Sequence, residues 1–297
     1  MPTNLAAVDN HLVDYMTSYR VHSADISVLI GPDSLDVLHA VTTQSVSNLS
    51  DNTCTYASIL NSNGRMIDRI LIWNLVDQIA IIHLEGCSES TRKLLSKSVS
   101  WKQDVKIIPL DSGFSSIWQY HSSEKGPIMD IRINGQVHTC FVDKSTQVHL
   151  GPNDEINQLS AKLSKDGLSL LDNEGLRLYQ ILNGFIDGEI VRNYKPIPLE
   201  VALSNDISFT KGCYTGQETI ARMDARGVLT RTLVTFSSTN LLDRGNHRIV
   251  GGGRLIVFDS INKNGTSYNL GLLHPDIADE GVEFEIDEIS CTILTKW

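Results

Sequence analysis

The chain has 297 residues, of which 41% are apolar and 20% are charged, and its formal net charge is −10. At about 100–200 residues per domain, this length predicts two or three domains with buried cores. The acidic balance argues against a general nucleic-acid or membrane-surface binder, because such proteins usually carry a basic face. No apolar run approaches the ~20 residues that a membrane-spanning helix needs, and the first residues do not follow a signal-peptide pattern.

The cysteines are few and widely separated in the sequence. They number five, and they are Cys54, Cys87, Cys140, Cys213 and Cys291. Their odd number and the lack of any C-x-x-C pair exclude a disulfide framework and a sequence-local zinc or iron–sulfur motif. We therefore expect a protein of the reducing cytoplasm.

The first three quarters of the chain alternate between helical and strand-like patterns. Hydrophobic periodicity and turn residues predict the following elements in chain order: a helix over 8–20, a strand over 25–31, a helix after Pro32, a strand over 56–60, a turn over 61–64, hairpin strands over 67–75 and 79–84, a helix over 88–99, short strands within 104–150, and helices over 154–165 and 172–183. Hairpins mixed with helices, rather than regular βαβ units, indicate the α+β class.

The pattern changes at about Gly227, where helical periodicity gives way to short strands. These strands are predicted over 233–236, 254–258, 268–273, 282–286 and 291–294. Such a series with turn signals between its members is typical of a small β-barrel. We therefore predict an α+β region over 1–226, made of two interleaved subdomains, and a C-terminal β-barrel over 227–297.

Residues 211–222 (KGCYTGQETIAR) form the segment most suggestive of chemistry. Two glycines flank Cys213 and Tyr214, and a predicted helix begins at Gln217, so Cys213 is expected just before a helix N-terminus. The helix dipole and the neighbouring Lys211 would favour the thiolate, which can act as a nucleophile, metal ligand or redox-sensitive group. No histidine is close in sequence, so a Cys–His hydrolase is not supported. The alternative is that Cys213 is a small hydrophobic residue buried in a loop.

Other charged residues have both a functional and a structural interpretation. Arg222 and Arg226 are four positions apart and would share a helix face, where they could hold a carboxylate or phosphate. They could equally form a solvated face balanced by Glu218 and Asp224. Asp68 opens an apolar strand, so it is a turn residue, faces a cavity, or pairs with an arginine.

These motifs resemble a known family. Residues 211–222 look like the signature of the YgfZ family of folate-binding proteins, which are relatives of the aminomethyltransferase (T-protein) of the glycine cleavage system. Residues 28–49, 59–73 and 174–203 resemble further parts of that family, so the resemblance covers most of residues 25–236. It implies an aminomethyltransferase-like fold in which α+β domains surround a central cavity and a C-terminal β-barrel closes it.

The resemblance also implies a function. Members of the family support the assembly or repair of iron–sulfur clusters, including those of enzymes that thiolate tRNA, and their ligand is tetrahydrofolate. T-proteins carry two adjacent acids at the start of the central hairpin strand, whereas Arg69 follows Asp68 here. This departure favours the YgfZ-type role over the alternative, a tetrahydrofolate-dependent aminomethyltransferase. Whether the protein is an enzyme with turnover stays open.

Residues and resemblance together define an expected site. Cys213, assisted by Lys211, would be the reactive group. The candidate folate ligands are Asp68, Glu200 and Gln217 at the N–H edge of the pterin, one or more of Arg65, Arg177 or Arg222 at the glutamate tail, and Tyr214 and Glu218 within the signature. The expected partners are folate and iron–sulfur enzymes or cluster-assembly proteins, with no direct contact to nucleic acid or membrane.

Overall fold

The structure, a computed structural model, describes residues 17–23, 25–110, 112–120 and 126–297. The predicted helix over 8–20 lies largely outside these residues, but its end is wrong, because β1 (Ser18–Ser23) is a strand. It pairs antiparallel with β7 (Phe114–Tyr120) and parallel with β11 (Ser169–Leu170). The pairing on both edges overrides the local helical periodicity.

The first sheet has five antiparallel strands in the order β3-β4-β5-β2-β6. Its elements are β2 (Ile26–Ile30), α1 (Ser34–Val41), β3 (Thr53–Leu60), β4 (Met66–Asn74), β5 (Ile79–Ile82), α2 (Ser88–Ser98) and β6 (Lys106–Pro109). Helices α1 and α2 cover one face, where Ile70 and Ile72 of β4 pack in a shared cluster. Leu71 and Trp73 belong to a different cluster on the opposite face, so β4 is apolar on both sides.

The second sheet has the order β11-β1-β7-β10-β9-β8, so its strands come from both sides of the first sheet in sequence. After β1 its elements are β7 (Phe114–Tyr120), β8 (Ile131–Asn134), β9 (Val137–Phe141), β10 (Gln147–Pro152), α3 (Asn153–Lys165) and β11 (Ser169–Leu170). Helix α3 packs on one face through Ile156 and Leu163. Val148 and Leu150 of β10 join the cluster of Leu71 and Trp73, so the two sheets share a core.

The C-terminal module is a third, curled antiparallel sheet in the order β13-β14-β15-β12-β17-β16. Its strands are β12 (Thr232–Ser238), β13 (Gly245–Arg248), β14 (Arg254–Lys263), β15 (Thr266–Leu273), β16 (Glu283–Ile286) and β17 (Ile289–Lys296). The backbone N–H of Val250, beyond β13, donates to the carbonyl of Glu285 in β16, which brings the two edges of the sheet together. The predicted α+β class and C-terminal β-module are confirmed. The strand β13 is not among the predicted strands, and the curled sheet forms a half-barrel rather than the predicted barrel.

The connecting segment contains α4 (Asn173–Leu182), α5 (Gly188–Tyr194), short 3-10 helices over Pro198–Val201 and Ser204–Asp206, and α6 (Gln217–Arg226). Its largest core joins Met66 of the first sheet, Leu178 of α4 and Phe258 of the C-terminal sheet. The C-terminal sheet is therefore packed against the preceding helices through a continuous apolar core.

Candidate functional site

A cavity of about 600 Å³ opens between the first two sheets and helices α4 and α5. This volume lies in the range of sites for small organic ligands. The residues that line it include Arg20, His22, Asp25, His83, Trp118, Tyr120, Arg177, Phe185 and Asp187. They come from distant parts of the chain, and the second sheet and the α4–α5 segment supply most of them.

One wall of the cavity is aromatic. The Trp118 ring lies edge-on to His22 at 6.3 Å between ring centroids and to Phe185 at 6.4 Å. Tyr120 stacks against Tyr179 at 4.1 Å. Such a wall offers apolar contact to a flat heteroaromatic ring.

Charged groups lie beside this aromatic wall. Arg20 donates from Nη1 to the carbonyl of Leu171 and from Nη2 to Asn173, but its buried Nε has no partner in the described residues. Asp25 accepts the backbone N–H of Gly86 at 2.6 Å, and Asp187 accepts that of Ile190 at 2.8 Å. Burial raises the pKa of Asp187. The cavity therefore combines an incompletely paired cation with carboxylates that each keep acceptor capacity.

Asp68 is fully buried behind the cavity rather than in its lining. Its Oδ2 accepts hydrogen bonds from His83 Nδ1 at 2.7 Å and Thr91 Oγ1 at 2.8 Å, and its Oδ1 accepts the backbone N–H of Leu84 at 3.1 Å. His83 lines the cavity and contacts Ser27 Oγ through Nε2 at 2.8 Å. Asp68 thus pairs with a histidine and holds its ring in place, while Arg69 binds Asp206 through two contacts.

Three of the other predicted ligands, Arg177, Glu200 and Arg65, already have protein partners. Arg177 lines the cavity, but its guanidinium donates to both oxygens of Asp259 at 3.0 and 2.6 Å. Glu200 is buried, and its carboxylate accepts two hydrogen bonds from Arg231 at 2.9 and 2.8 Å. Arg65 donates to a backbone carbonyl at 3.1 Å. Of the predicted folate ligands, only Arg177 lies in the cavity lining.

The signature segment lies at a different surface, where Lys211 anchors it. The Lys211 ammonium donates to the carbonyls of His39 at 2.6 Å, Thr42 at 2.7 Å and Gln44 at 3.0 Å, which are at and just beyond the end of α1. Its Nζ is also 5.2 Å from the centre of the buried Tyr214 ring. The three carbonyls take up the hydrogen-bonding capacity of the ammonium. The structure therefore shows Lys211 as an anchor for the loop.

Cys213 is exposed, whereas the other four cysteines are buried. Gly216 has a φ of +84° and lies so close to the turn over 61–64 that a Cβ there would fall 2.5 Å from the Asn61 carbonyl. Only glycine fits this combination of left-handed backbone and close approach. Helix α6 then begins at Gln217, which is half-buried, and Glu218 and Arg222 are exposed on it. The Cys213 thiol is thus exposed to solvent in a loop that is held on one side by Lys211 and on the other by the Gly216 contact.

A second groove, of about 640 Å³, lies between α2, α5 and the turn that Gly216 contacts. Lys93, Lys97 and Lys195 line it, and no carboxylate is among its lining residues in the described part of the chain. The groove is a local basic surface on an acidic protein. Across the described ranges, no group of three His, Cys, Asp or Glu side chains is arranged to hold a metal ion. No helix in those same ranges is long and apolar enough to cross a membrane.

Comparisons with known proteins extend these observations. No family model matches the chain. The "tRNA-modifying protein YgfZ" of Aliivibrio fischeri strain MJ11 is 23% identical over 301 aligned residues, covering 97% of this chain and 93% of that protein. The protein of the same name from Blochmanniella pennsylvanica is 25% identical and covers 74% of this chain and 75% of its own. The "Iron-sulfur cluster assembly factor IBA57 homolog, mitochondrial" of Dictyostelium discoideum is 24% identical and covers 71% of this chain and 60% of that protein.

Among solved structures, the glycine cleavage system aminomethyltransferase T from Bartonella henselae superimposes with a TM-score of 0.75. The alignment covers 94% of this chain and 85% of that one at 13% identity, which shows a shared fold. The resemblance inferred from the motifs is therefore confirmed. The chain is similar over most of its length to the YgfZ tRNA-modifying proteins, and it has the fold of aminomethyltransferase T.

Proposed function

We propose that this protein binds a tetrahydrofolate in the central cavity and supports the assembly or repair of iron–sulfur clusters, using the thiol of Cys213. The observation that carries the folate assignment is the aromatic wall at Trp118 beside the carboxylates of Asp25 and Asp187. The names of the YgfZ and iron-sulfur assembly relatives support the cluster-related role. In this proposal the protein affects tRNA modification by supporting the cluster of an iron–sulfur enzyme that modifies tRNA.

The residues of the cavity fit a folate in three ways. The pterin ring would pack against Trp118, and its N–H edge would pair with Asp25 or Asp187, both of which keep acceptor capacity. The glutamate carboxylates would meet Arg20, whose Nε is buried without a partner in the described residues. Folate would contribute a one-carbon carrier. In this proposal Asp25 and Asp187 take the place of Asp68, Glu200 and Gln217, which do not line the cavity.

Cys213 would act outside the cavity, at the protein surface. Iron–sulfur clusters need about four protein ligands, and the described residues place no second cysteine on this surface, because the other four are buried. A cluster at Cys213 would therefore be transient and shared with a partner protein or a small thiol. Purification of this protein alone with a stably bound cluster would contradict the proposal of a transient, shared cluster.

Calorimetric titration with tetrahydrofolate tests the folate assignment. Asp187→Asn keeps the ability to cap α5 while removing the charge, and Trp118→Ala removes the wall. We expect each to weaken binding by about tenfold or more, since one such contact is worth roughly 1.4 kcal/mol. Asp77→Asn, in the exposed β4–β5 turn, is the matched control and should bind like the wild type. Equal affinity in all four proteins would refute the cavity as the folate site.

Complementation tests the cluster-related role in cells that lack their own YgfZ protein. We expect Cys213→Ser to lose support of a tRNA-thiolating iron–sulfur enzyme while retaining folate binding in vitro. Thr215→Ala, an exposed substitution in the same loop, is the control and should retain support. Full complementation by Cys213→Ser would exclude the thiol from the function.

The fold also permits a second function, a tetrahydrofolate-dependent aminomethyltransferase, because it matches aminomethyltransferase T. Against it, Arg69 follows Asp68 and is bound to Asp206, so this position supplies an arginine where T-proteins have a second carboxylate. An assay of methylene-tetrahydrofolate formation from a lipoyl-bound aminomethyl donor separates the two functions. Turnover would favour the transferase, and its absence with intact folate binding would favour the accessory role.

We further propose that the protein acts in the cytoplasm and affects tRNA only indirectly. The net charge of −10 disfavours a phosphate backbone, even though Lys93, Lys97 and Lys195 form a local basic groove. Filter binding with purified tRNA at several salt concentrations tests this. Tight binding that weakens steeply with salt and is lost on Lys93→Gln would show direct contact.

A further inference from the structure

Two buried thiols meet between the first and second sheets. Cys54 lies in β3 and Cys140 in β9, and their Sγ atoms are 2.9 Å apart. Both side chains are almost inaccessible, with 2% and 1% exposure. The two residues are 86 positions apart, so this proximity is a product of the fold alone. The sequence indicated only the absence of a disulfide framework and did not point to this pair.

The backbone holds the two cysteines in place. The N–H of Cys54 donates to the carbonyl of Met129 at 2.8 Å, and the N–H of Met129 donates to the carbonyl of Phe141 at 2.7 Å. Cys140 is paired on both sides within the second sheet, opposite Ile131 and Val148. Because both cysteines sit in paired strands, the thiols face each other in the resting structure without a loop movement.

The surroundings decide which chemistry the pair can undergo. Trp73, Val148 and other apolar side chains pack around it, so the thiols are kept from water and from large reagents. The neighbouring thiol and burial raise the pKa of Cys54, which slows its oxidation relative to an exposed thiol. Burial therefore leaves the pair accessible only to a small oxidant and shields it from protein thiols.

We propose that Cys54 and Cys140 are a dithiol site that hydrogen peroxide converts to an intramolecular disulfide. Each Sγ–H bond breaks and one Sγ–Sγ bond forms. The two electrons and two protons pass to the peroxide, whose O–O bond breaks to give two molecules of water. The new bond cross-links β3 to β9 and so joins the two sheets that wall the central cavity.

Mass spectrometry of the purified full chain tests the proposal. The protein carries Cys213→Ser so that the exposed thiol cannot form bonds between molecules. After peroxide treatment it is unfolded, alkylated and digested. We expect the peptides of Cys54 and Cys140 to be joined, with the loss of two hydrogens, while Cys87 and Cys291 are alkylated. Dithiothreitol should separate the joined peptides.

Thermal unfolding supplies a second readout. A bond that closes so long a loop should raise the unfolding midpoint by roughly 5–10 °C, and reduction should reverse the rise. Cys54→Ala and Cys140→Ala should each abolish both the joined peptides and the rise. Cys291→Ala is the matched control, because Cys291 is also buried but has no thiol neighbour among the described residues, and it should keep both.

Failure of the two thiols to oxidise at a high peroxide dose would overturn the proposal. In the wild-type protein, Cys213 reports the peroxide dose at which an exposed thiol is fully oxidised. If Cys54 and Cys140 are still fully alkylated at ten times that dose, the pair is not a dithiol site. A disulfide joining either residue to Cys87 or Cys291 would refute the geometric argument equally.

Discussion

Replacement of Asp68 by alanine should destabilise the protein strongly, even though the residue does not line the cavity. The carboxylate is fully buried and accepts three hydrogen bonds, from His83, Thr91 and the backbone of Leu84. Removal leaves these three donors without an acceptor in the interior.

The magnitude follows from the hydrogen bonds. Bonds to a charged acceptor are worth about 1.5–3 kcal/mol each, but the freed donors can relax in part. Because three such bonds are lost at one buried acceptor, we expect a loss of about 3–5 kcal/mol after that relaxation. His83 would also lose the partner that orients its ring in the cavity wall, so folate affinity should fall in the same variant.

Urea unfolding followed by tryptophan fluorescence measures the effect, because Trp73 is fully buried in the core. Asp77→Ala is the control, since Asp77 is exposed in the turn between β4 and β5 and should change the free energy of unfolding by less than about 0.5 kcal/mol. If the two variants unfold at the same urea concentration, the three hydrogen bonds do not stabilise the fold, and the positioning role of Asp68 fails with them.

Three further predictions concern groups outside the cavity or at its edge. Burial lowers the pKa of His149 and His22 to about 4, so between pH 6.5 and 4 the unfolded chain binds more protons than the folded one. The free energy of unfolding should therefore decrease as the pH is lowered from 6.5 to 4, by up to about 3 kcal/mol for His149. His149→Phe should make urea unfolding depend less on pH in this range. Lys211→Met should loosen the signature loop by removing its three carbonyl contacts, seen as faster proteolysis there, whereas Lys144→Met should have no effect; equal cleavage rates would count against the anchor. Glu200→Ala should cost about 2–3 kcal/mol in calorimetric unfolding, because the buried carboxylate accepts two hydrogen bonds from the half-exposed Arg231, which water can solvate in part. A loss below about 1 kcal/mol would contradict that pairing.

The candidate site divides into a part that sequence reasoning could reach and a part that it could not. The signature loop was accessible, because its glycines, its cysteine and the helix after it are adjacent in sequence, and the exposed thiol before α6 agrees with that prediction. The cavity was not accessible, because Arg20, Trp118 and Asp187 are brought together from three distant segments. An alternating apolar pattern can mark these strands, but it does not show which residues share a cavity.

Charged side chains show most clearly which features of the site the sequence alone does not determine. Arg177 and Glu200 have the chemistry of folate ligands, and the sequence alone cannot reveal that Asp259 and Arg231 already pair with them. His83 could have been found as a polar position in an apolar strand, but its pairing with Asp68 depends on the alignment of β4 and β5.

The sequence by itself determined the α+β class, most helices and strands, the position of the C-terminal sheet and the location of the signature. These depend on periodicity and turn chemistry, which act over a few residues. Only the tertiary structure decided the strand at β1, the lining of the cavity and the contact between Cys54 and Cys140. These arise from pairing and packing between segments far apart in the chain, where the choice of partner depends on the whole fold rather than on neighbouring residues.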